Sequence, residues 1–157
     1  MIEVGQTIPE ANLAELNQEG MQNHSTHQLF SGKKVVLFAV PGAFTPTCSE
    51  AHLPGFVVLA DNIKAKGIDI IACVSVNDAF VMNAWGEAQN AEQIMMLGDG
   101  DASFTKALGL EMDTAGFGGV RSQRYAIIID DLTVSTVNVE QAKSFEVSSA
   151  ETILSLL

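Results

Sequence analysis

Cys48 closes the stretch Pro41-Gly42-Ala43-Phe44-Thr45-Pro46-Thr47-Cys48, directly behind the apolar run Val35 to Val40. Those residue types spell a buried strand, a turn and a thiol in the first turn of a helix. With Thr45 as N-cap and Pro46 as the first helical residue, where its missing N–H costs nothing, Cys48 takes the third helical position beside unpaired backbone donors. Those amides and the positive end of the helix dipole favour thiolate over thiol. A free thiol with pKa near 8.5 is only about 3 % ionised at pH 7, and lowering it to about 6 raises the thiolate about thirtyfold, worth roughly 2 kcal/mol. The pattern suits nucleophilic sulfur chemistry.

The rest of the chain must hold that sulfur. At 157 residues it is expected to form one domain, residues 1–157, with a core large enough to need neither disulfides nor metal. A composition 47 % hydrophobic and 17 % charged is that of a globular protein. The net charge of −11 argues against affinity for nucleic acid or an anionic membrane, since either needs clustered Lys and Arg. Arg121 and Arg124 are the only arginines, so their segment is where a local positive potential is expected. The start, Met1-Ile2-Glu3-Val4-Gly5, carries neither the basic nor the apolar region of a secretory signal, and no apolar run is long enough to span a bilayer, so a cytoplasmic location is expected. Two cysteines, Cys48 and Cys73, without a Cys-x-x-Cys pair, offer neither a disulfide framework nor a four-thiolate zinc site.

Element signals run in order along the chain. The first thirty residues mix short apolar stretches with polar turns, and Ser31-Gly32-Lys33-Lys34 leads into the strand Val35 to Val40. A helix follows from about Pro46 to Lys66, kinked or interrupted at Pro54-Gly55. Ile68 to Val76 is apolar on both alternating faces, as a central parallel strand covered by helices must be. Asp78 caps a helix to about Gln89, Ile94 to Leu97 is a short strand, and Ser103 to Leu108 a short helix. Gly116-Phe117-Gly118-Gly119 reads as a flexible approach to Arg121 and Arg124. Tyr125 to Ile129 and Thr133 to Val139, around Asp130-Asp131-Leu132, signal a hairpin. Ser148-Ser149-Ala150-Glu151 reads as a capping box opening a helix that buries Ile153, Leu154 and Leu157.

This order predicts an α/β, thioredoxin-like fold with a central mixed β-sheet flanked by helices. Its first two strands run parallel and the strand beginning near Arg124 runs antiparallel to them. The end of strand 35–40 and the start of strand 124–130 then share one sheet edge, and Arg124 can meet Cys48 where α/β sheets bind ligands.

Attack on a peroxide moves negative charge from sulfur to the departing oxygen as the O–O bond breaks. Fixed donors stabilise that transition state more than the ground state. Arg124, the Thr45 hydroxyl and the amides of residues 47 and 48 are the candidate donors, and Pro41 would shield the sulfur.

Pro41, Thr45 and Cys48 form a Pro-x-x-x-Thr-x-x-Cys pattern that resembles the active-site signature of the peroxiredoxins. The continuation Ser49, His52, Leu53, Pro54, Gly55, Phe56 is similar to their type II subfamily, which includes mammalian peroxiredoxin five and the plant type II enzymes. So are Ser75-Val76-Asn77-Asp78, Arg121-Ser122-Gln123-Arg124-Tyr125 and Val147-Ser148-Ser149-Ala150-Glu151. The resemblance implies that Cys48 is the peroxidatic cysteine, Thr45 and Arg124 its partners and Pro41 its shield. Cys48 would reduce hydrogen peroxide or an alkyl hydroperoxide, leaving a sulfenic acid that thiols resolve. It further implies glutathione with glutaredoxin, or thioredoxin, as reductant, a homodimer, and no metal or organic cofactor.

Val147 stands where mammalian peroxiredoxin five carries its resolving cysteine, so that route is absent. Cys73 matches the second cysteine of the plant type II members. A Cys48–Cys73 disulfide would require Cα atoms within about 7 Å and local unfolding, since Cys73 lies inside an apolar strand. An external thiol attacking the Cys48 sulfenate is the favoured reading; Cys73 as resolving cysteine stays open.

His52, four residues after Cys48, is expected to be a structural hydrogen-bonding residue near the site. A cysteine–histidine hydrolase would lack a third member, and i, i+4 neighbours hold an imidazole poorly for acyl transfer. Arg121 is divided between a site role and a surface salt bridge. His24 and His27 read as loop histidines, and Phe44, Phe80 and Phe117 as exposed aromatics suited to a dimer interface. A rival from another class, a redox-sensing interaction module, would use the same sulfur stoichiometrically rather than in turnover.

Overall fold

The computed structural model describes residues 1–157. Strand β3 (Lys34–Ala39) is parallel to β4 (Ile70–Ser75), and β4 to β5 (Met95–Gly98). The hairpin β8 (Tyr125–Asp130) and β9 (Thr133–Val139) joins antiparallel to β3, with Ala39 opposite Tyr125. A second hairpin, β1 (Asn12–Asn17) and β2 (Gly20–Ser25), extends the other edge through β5. The seven-stranded order is β2-β1-β5-β4-β3-β8-β9, and β6 (Glu111–Asp113) with β7 (Val120–Ser122) forms a separate ribbon.

The period-2 pattern of the central strands splits the core in two. Val36, Phe38, Ile71, Cys73, Ala126 and Ile128 point to one face, under α2 (Leu53–Ala65), α3 (Ala79–Ala88) and α5 (Ala150–Ser155). Val35, Leu37, Ala72, Val74, Tyr125 and Ile127 point to the other, under Phe30 of α1 (Thr26–Phe30) and Phe104 of α4 (Ser103–Leu108). Strands apolar on both faces must be covered twice, which is the expected α/β arrangement. No helix is long and apolar enough to cross a membrane.

The structure departs from the sequence expectations in local ways. The amino-terminal region holds a strand pair that its mixed pattern did not announce, because β2 alternates half-buried and exposed residues without a strong apolar face. Pro54 does not break the helix. The helix starts at Pro46 as expected, widens into a π turn over Cys48–His52 with Leu53 N–H donating to Cys48 O, and continues as α2. Proline lacks the N–H that an unbroken α-helical ladder needs, and one wide turn just before it absorbs the defect. The last helix is capped by Ser149, which accepts from Thr152 N–H, rather than by a Ser148–Glu151 box; Ser148 is buried elsewhere. In that helix Ile153 is fully buried and Leu154 half-buried, as is Leu157 beyond its end. The glycine-rich segment is the tight turn of the β6–β7 ribbon, not a free approach to the arginines. A Cβ at Gly118 would lie 2.6 Å from Arg121 Nε, so that the arginine's seat requires glycine there.

Candidate active site

The turn from β3 into the helix delivers Cys48, and the first residues of the β3–β8 ladder deliver Arg124 to the same edge. Arg124 Nη2 donates to Cys48 Sγ at 3.0 Å, and Thr45 Oγ1 lies 3.0 Å from the same sulfur. Thr45 Oγ1 also lies 2.7 Å from Gly42 O, and no helical N–H donates to it, so the residue expected to cap the helix is turned to the sulfur and the preceding turn instead. A hydroxyl has one proton, so it turns to the sulfur when the sulfur is a thiolate, and to Gly42 O when a thiol donates to it. The amides of Thr47 and Cys48 find no acceptor within the protein. The sulfur itself is buried.

Pro41, Thr47 and Arg124 line one side of a cavity of about 420 Å³ whose other walls include Gln123 and the segment from Glu140 to Ser144.

Each piece is held from behind. Asn77 Oδ1 accepts from Ala43 N–H at 3.0 Å and lies 2.8 Å from Ser75 Oγ, which donates to Val40 O at 3.0 Å. The end of β4 therefore fixes the Pro41 turn. Gly98 permits this: a Cβ there would be 2.7 Å from Asn77 O. Trp85 of α3 donates from Nε1 to Ser49 Oγ at 3.0 Å, pinning the π turn beside Cys48.

His52 is fully buried among Phe38, Phe56 and Phe145, with ring centroids 5.0 to 5.7 Å away. Arg124 Nη1 donates to its Nδ1 at 2.9 Å, and its Nε2 faces Ser148 O at 3.0 Å. A guanidinium only donates and a carbonyl only accepts, so the imidazole carries its proton on Nε2. Burial, and then the neighbouring Arg124 charge, push its pKa from 6.5 down to about 3, and the ring is neutral. His52 is thus a hydrogen-bonding partner near the site, as expected, but its partner is Arg124 and not the thiol. With both nitrogens occupied it offers no base for a hydrolase.

Cys73 lies opposite Phe38 in the β3–β4 ladder, wholly buried in the same apolar cluster as Cys48, and burial pushes its thiol well above the ordinary range. Both thiols are free. Arg121 makes no salt bridge: Nη1 donates to Val76 O at 2.7 Å and Nε to Gly118 O at 3.0 Å, fastening the β6–β7 turn to the loop after β4. His24 is not a loop residue but sits on β2 against Glu15 at 2.9 Å, and His27, in α1, meets Ile8 O at 2.7 Å. No group of three or more His, Cys, Asp or Glu residues is placed to hold a metal.

Sequence reasoning passed over Glu140 and Trp85. Glu140 follows the hairpin and reads as an ordinary surface acid; Trp85 reads as core.

Residues 3–154 match the Redoxin family model. Among curated proteins, Peroxiredoxin-2D of Arabidopsis thaliana is 47 % identical over 99 % of this chain and 98 % of its own length. Peroxiredoxin-2C of Oryza sativa subsp. japonica is 48 % identical over the same shares. Among solved structures, reduced Prx3 from Vibrio vulnificus in complex with H2O2 superimposes with a TM-score of 0.98 at 74 % identity, covering 99 % of both chains. Peroxiredoxin 5 from Alvinella pompejana superimposes with a TM-score of 0.86 at 37 % identity, over 98 % of this chain and 96 % of its own.

Proposed function

This chain belongs to the redoxin family and is a peroxiredoxin, a thiol peroxidase, and we propose that Cys48 is its reacting thiol, activated by Thr45 and Arg124 and shielded by Pro41. The observation that carries the assignment is the convergence of Arg124 Nη2 and Thr45 Oγ1 on one sulfur, each at 3.0 Å. The Cys48 thiolate attacks the terminal oxygen of the peroxide. An S–O bond forms, the O–O bond breaks, and the alkoxide or hydroxide leaves to be protonated by solvent. The guanidinium and hydroxyl, already aimed at the reacting centre, stabilise the charge as it spreads onto oxygen. Hydrogen peroxide and alkyl hydroperoxides are the substrates of this reading, and the H2O2 complex of the Vibrio relative supports the first.

Glutathione with glutaredoxin is the proposed reductant. One thiol displaces water from the Cys48 sulfenic acid to give a mixed disulfide; a second thiol releases the Cys48 thiolate and carries away the oxidising equivalents as a disulfide. The burial of Cys73 within β4 supports this external route. The alternative, a Cys48–Cys73 disulfide reduced by thioredoxin, is favoured by one observation: the two sulfurs share one apolar cluster on the same sheet face. Cys73→Ser should keep full turnover with glutathione and glutaredoxin. Intact mass after one equivalent of peroxide should show a single glutathione adduct at Cys48; a loss of two hydrogens joining the cysteines would reject the external route. A sensor would stop after one turnover, whereas an enzyme cycles.

A homodimer forms, in this reading, through the surface that bears Phe44 and Phe117 on loops and Phe80 in the first turn of α3. These rings are 56 %, 66 % and 75 % exposed. The Phe44 turn and the ribbon bearing Phe117 are both tied to the connection leading into α3, through Ala43 N–H to Asn77 and Arg121 to Val76 O.

A further inference from the structure

A closed ring of hydrogen bonds stands behind the sulfur. Arg124 donates to Cys48 Sγ with Nη2 and to His52 Nδ1 with Nη1. His52 donates from Nε2 to Ser148 O. Ser148 donates its N–H at 2.9 Å and its hydroxyl at 2.7 Å to Glu140 Oε2, which also takes Glu146 N–H at 2.7 Å. Glu140 N–H returns to Arg124 O at 2.9 Å. Glu140 is 7 % exposed, and its carboxyl stays below the usual carboxylate range: burial opposes ionisation, but the hydroxyl and amides of the 146–148 segment outweigh it.

The ring matters because an imidazole has two tautomers and only one serves Arg124. With the proton on Nε2, Nδ1 is a lone pair that holds Nη1 and so aims Nη2 at the sulfur. With the proton on Nδ1, two donors would face each other and the guanidinium would swing away. What selects the tautomer is the Ser148 carbonyl, and Glu140 fixes the residue that carries it by accepting from both the Ser148 N–H and the Ser148 hydroxyl. Imidazole is also a neutral partner. A carboxylate in its place would draw off the positive charge that the sulfur and peroxide use, whereas here the carboxylate stands behind Ser148 and His52.

We propose that Glu140 is a positioning residue of the peroxidase site, fixing the His52 tautomer through Ser148 and thereby the direction in which Arg124 points. This rests on the assignment of Cys48 as the reacting thiol. The test is a double-mutant cycle on the rate constant for Cys48 oxidation by H2O2, with iodoacetamide alkylation as the control reaction that does not use Arg124's second donor. Glu140→Ala should slow oxidation about tenfold while alkylation changes by no more than about twofold, and Glu140→Gln, which still offers an oxygen to the same donors, should recover most of the rate. Combining Glu140→Ala with His52→Leu should be no slower than His52→Leu alone, because both act along one path. Slowdowns that multiply would overturn the proposal. Nitrogen NMR of the wild-type protein gives an answer that needs no variant to fold: His52 should show a protonated Nε2 and a bare Nδ1 at neutral pH, and the opposite tautomer would reject the idea. Failure of the wild type to react with peroxide at Cys48 would instead sink the underlying assignment.

Discussion

Arg124 meets a neutral imidazole rather than a carboxylate, and it makes no ion pair. In the proposed mechanism its whole charge is therefore available to the sulfur and to the oxygen leaving it. Arg124→Ala should lower the peroxide rate constant about a hundredfold or more, roughly 3 kcal/mol, while slowing iodoacetamide far less. Equal losses in both reactions would mean that the arginine only maintains structure. His52 has a second consequence, in stability. Its pKa is 6.5 when exposed and about 3 when folded, so between those values the unfolded chain binds a proton that the native one refuses. Stability contributed by this residue is complete above pH 6.5 and drains as pH falls toward 3, at up to about 1.4 kcal/mol per pH unit. Urea unfolding of wild type and His52→Gln should show a shallower loss for the variant between pH 6.5 and 5; parallel curves would contradict the neutral, buried imidazole.

At the scale of elements, the π turn over Cys48–His52 is the site's adjustable part. It lies between a proline-opened helical start and Pro54, and a wide turn of this kind is common at functional sites. One side-chain bond from the neighbouring helix, Trp85 Nε1–H to Ser49 Oγ, holds it down. Trp85→Phe keeps the aromatic packing but loses that donor, costing about 1 kcal/mol and speeding amide exchange of residues 48–52 about fivefold. Exchange rates unchanged in the turn would show that packing alone keeps it closed. Trp85 is the only tryptophan of the chain, so its fluorescence should also follow the redox state of Cys48.

For the whole molecule, the three exposed phenylalanines, two on loops and Phe80 at the start of α3, lie on segments that the site's own scaffold ties together, so a dimer made there would lean on the Pro41 turn and on Arg121. Phe117→Asp with Phe80→Asp should convert a dimer to monomers in sedimentation, with secondary structure intact. A wild-type protein of protomer mass at micromolar concentration would remove that interface from consideration. The acidity of the chain, −11, and its lack of clustered cations accord with small uncharged substrates rather than polyanions.

The sequence by itself determined the thiol, its helical position and the parallel core strands. Each of these follows from short-range chemistry: a helix-opening proline two residues before the cysteine, and runs apolar at both parities. The same local logic brought Arg124 to the edge where Cys48 lies, because two strands of known direction leave few ways to be adjacent. Only the tertiary structure decided what stands behind that arginine. His52 lies in the π turn and Ser148 and Glu140 at opposite ends of the connection from β9 to α5, and each could satisfy its polar atoms with water in an unfolded or differently packed chain. Burial removes the water, and the tautomer of one imidazole then depends on a carboxylate whose distance along the sequence carries no signal. The wide turn at Cys48 is of the same kind: Pro54 announced a defect in the helix, but whether it would kink, break or widen there was settled by the packing of Trp85 and the sheet against it.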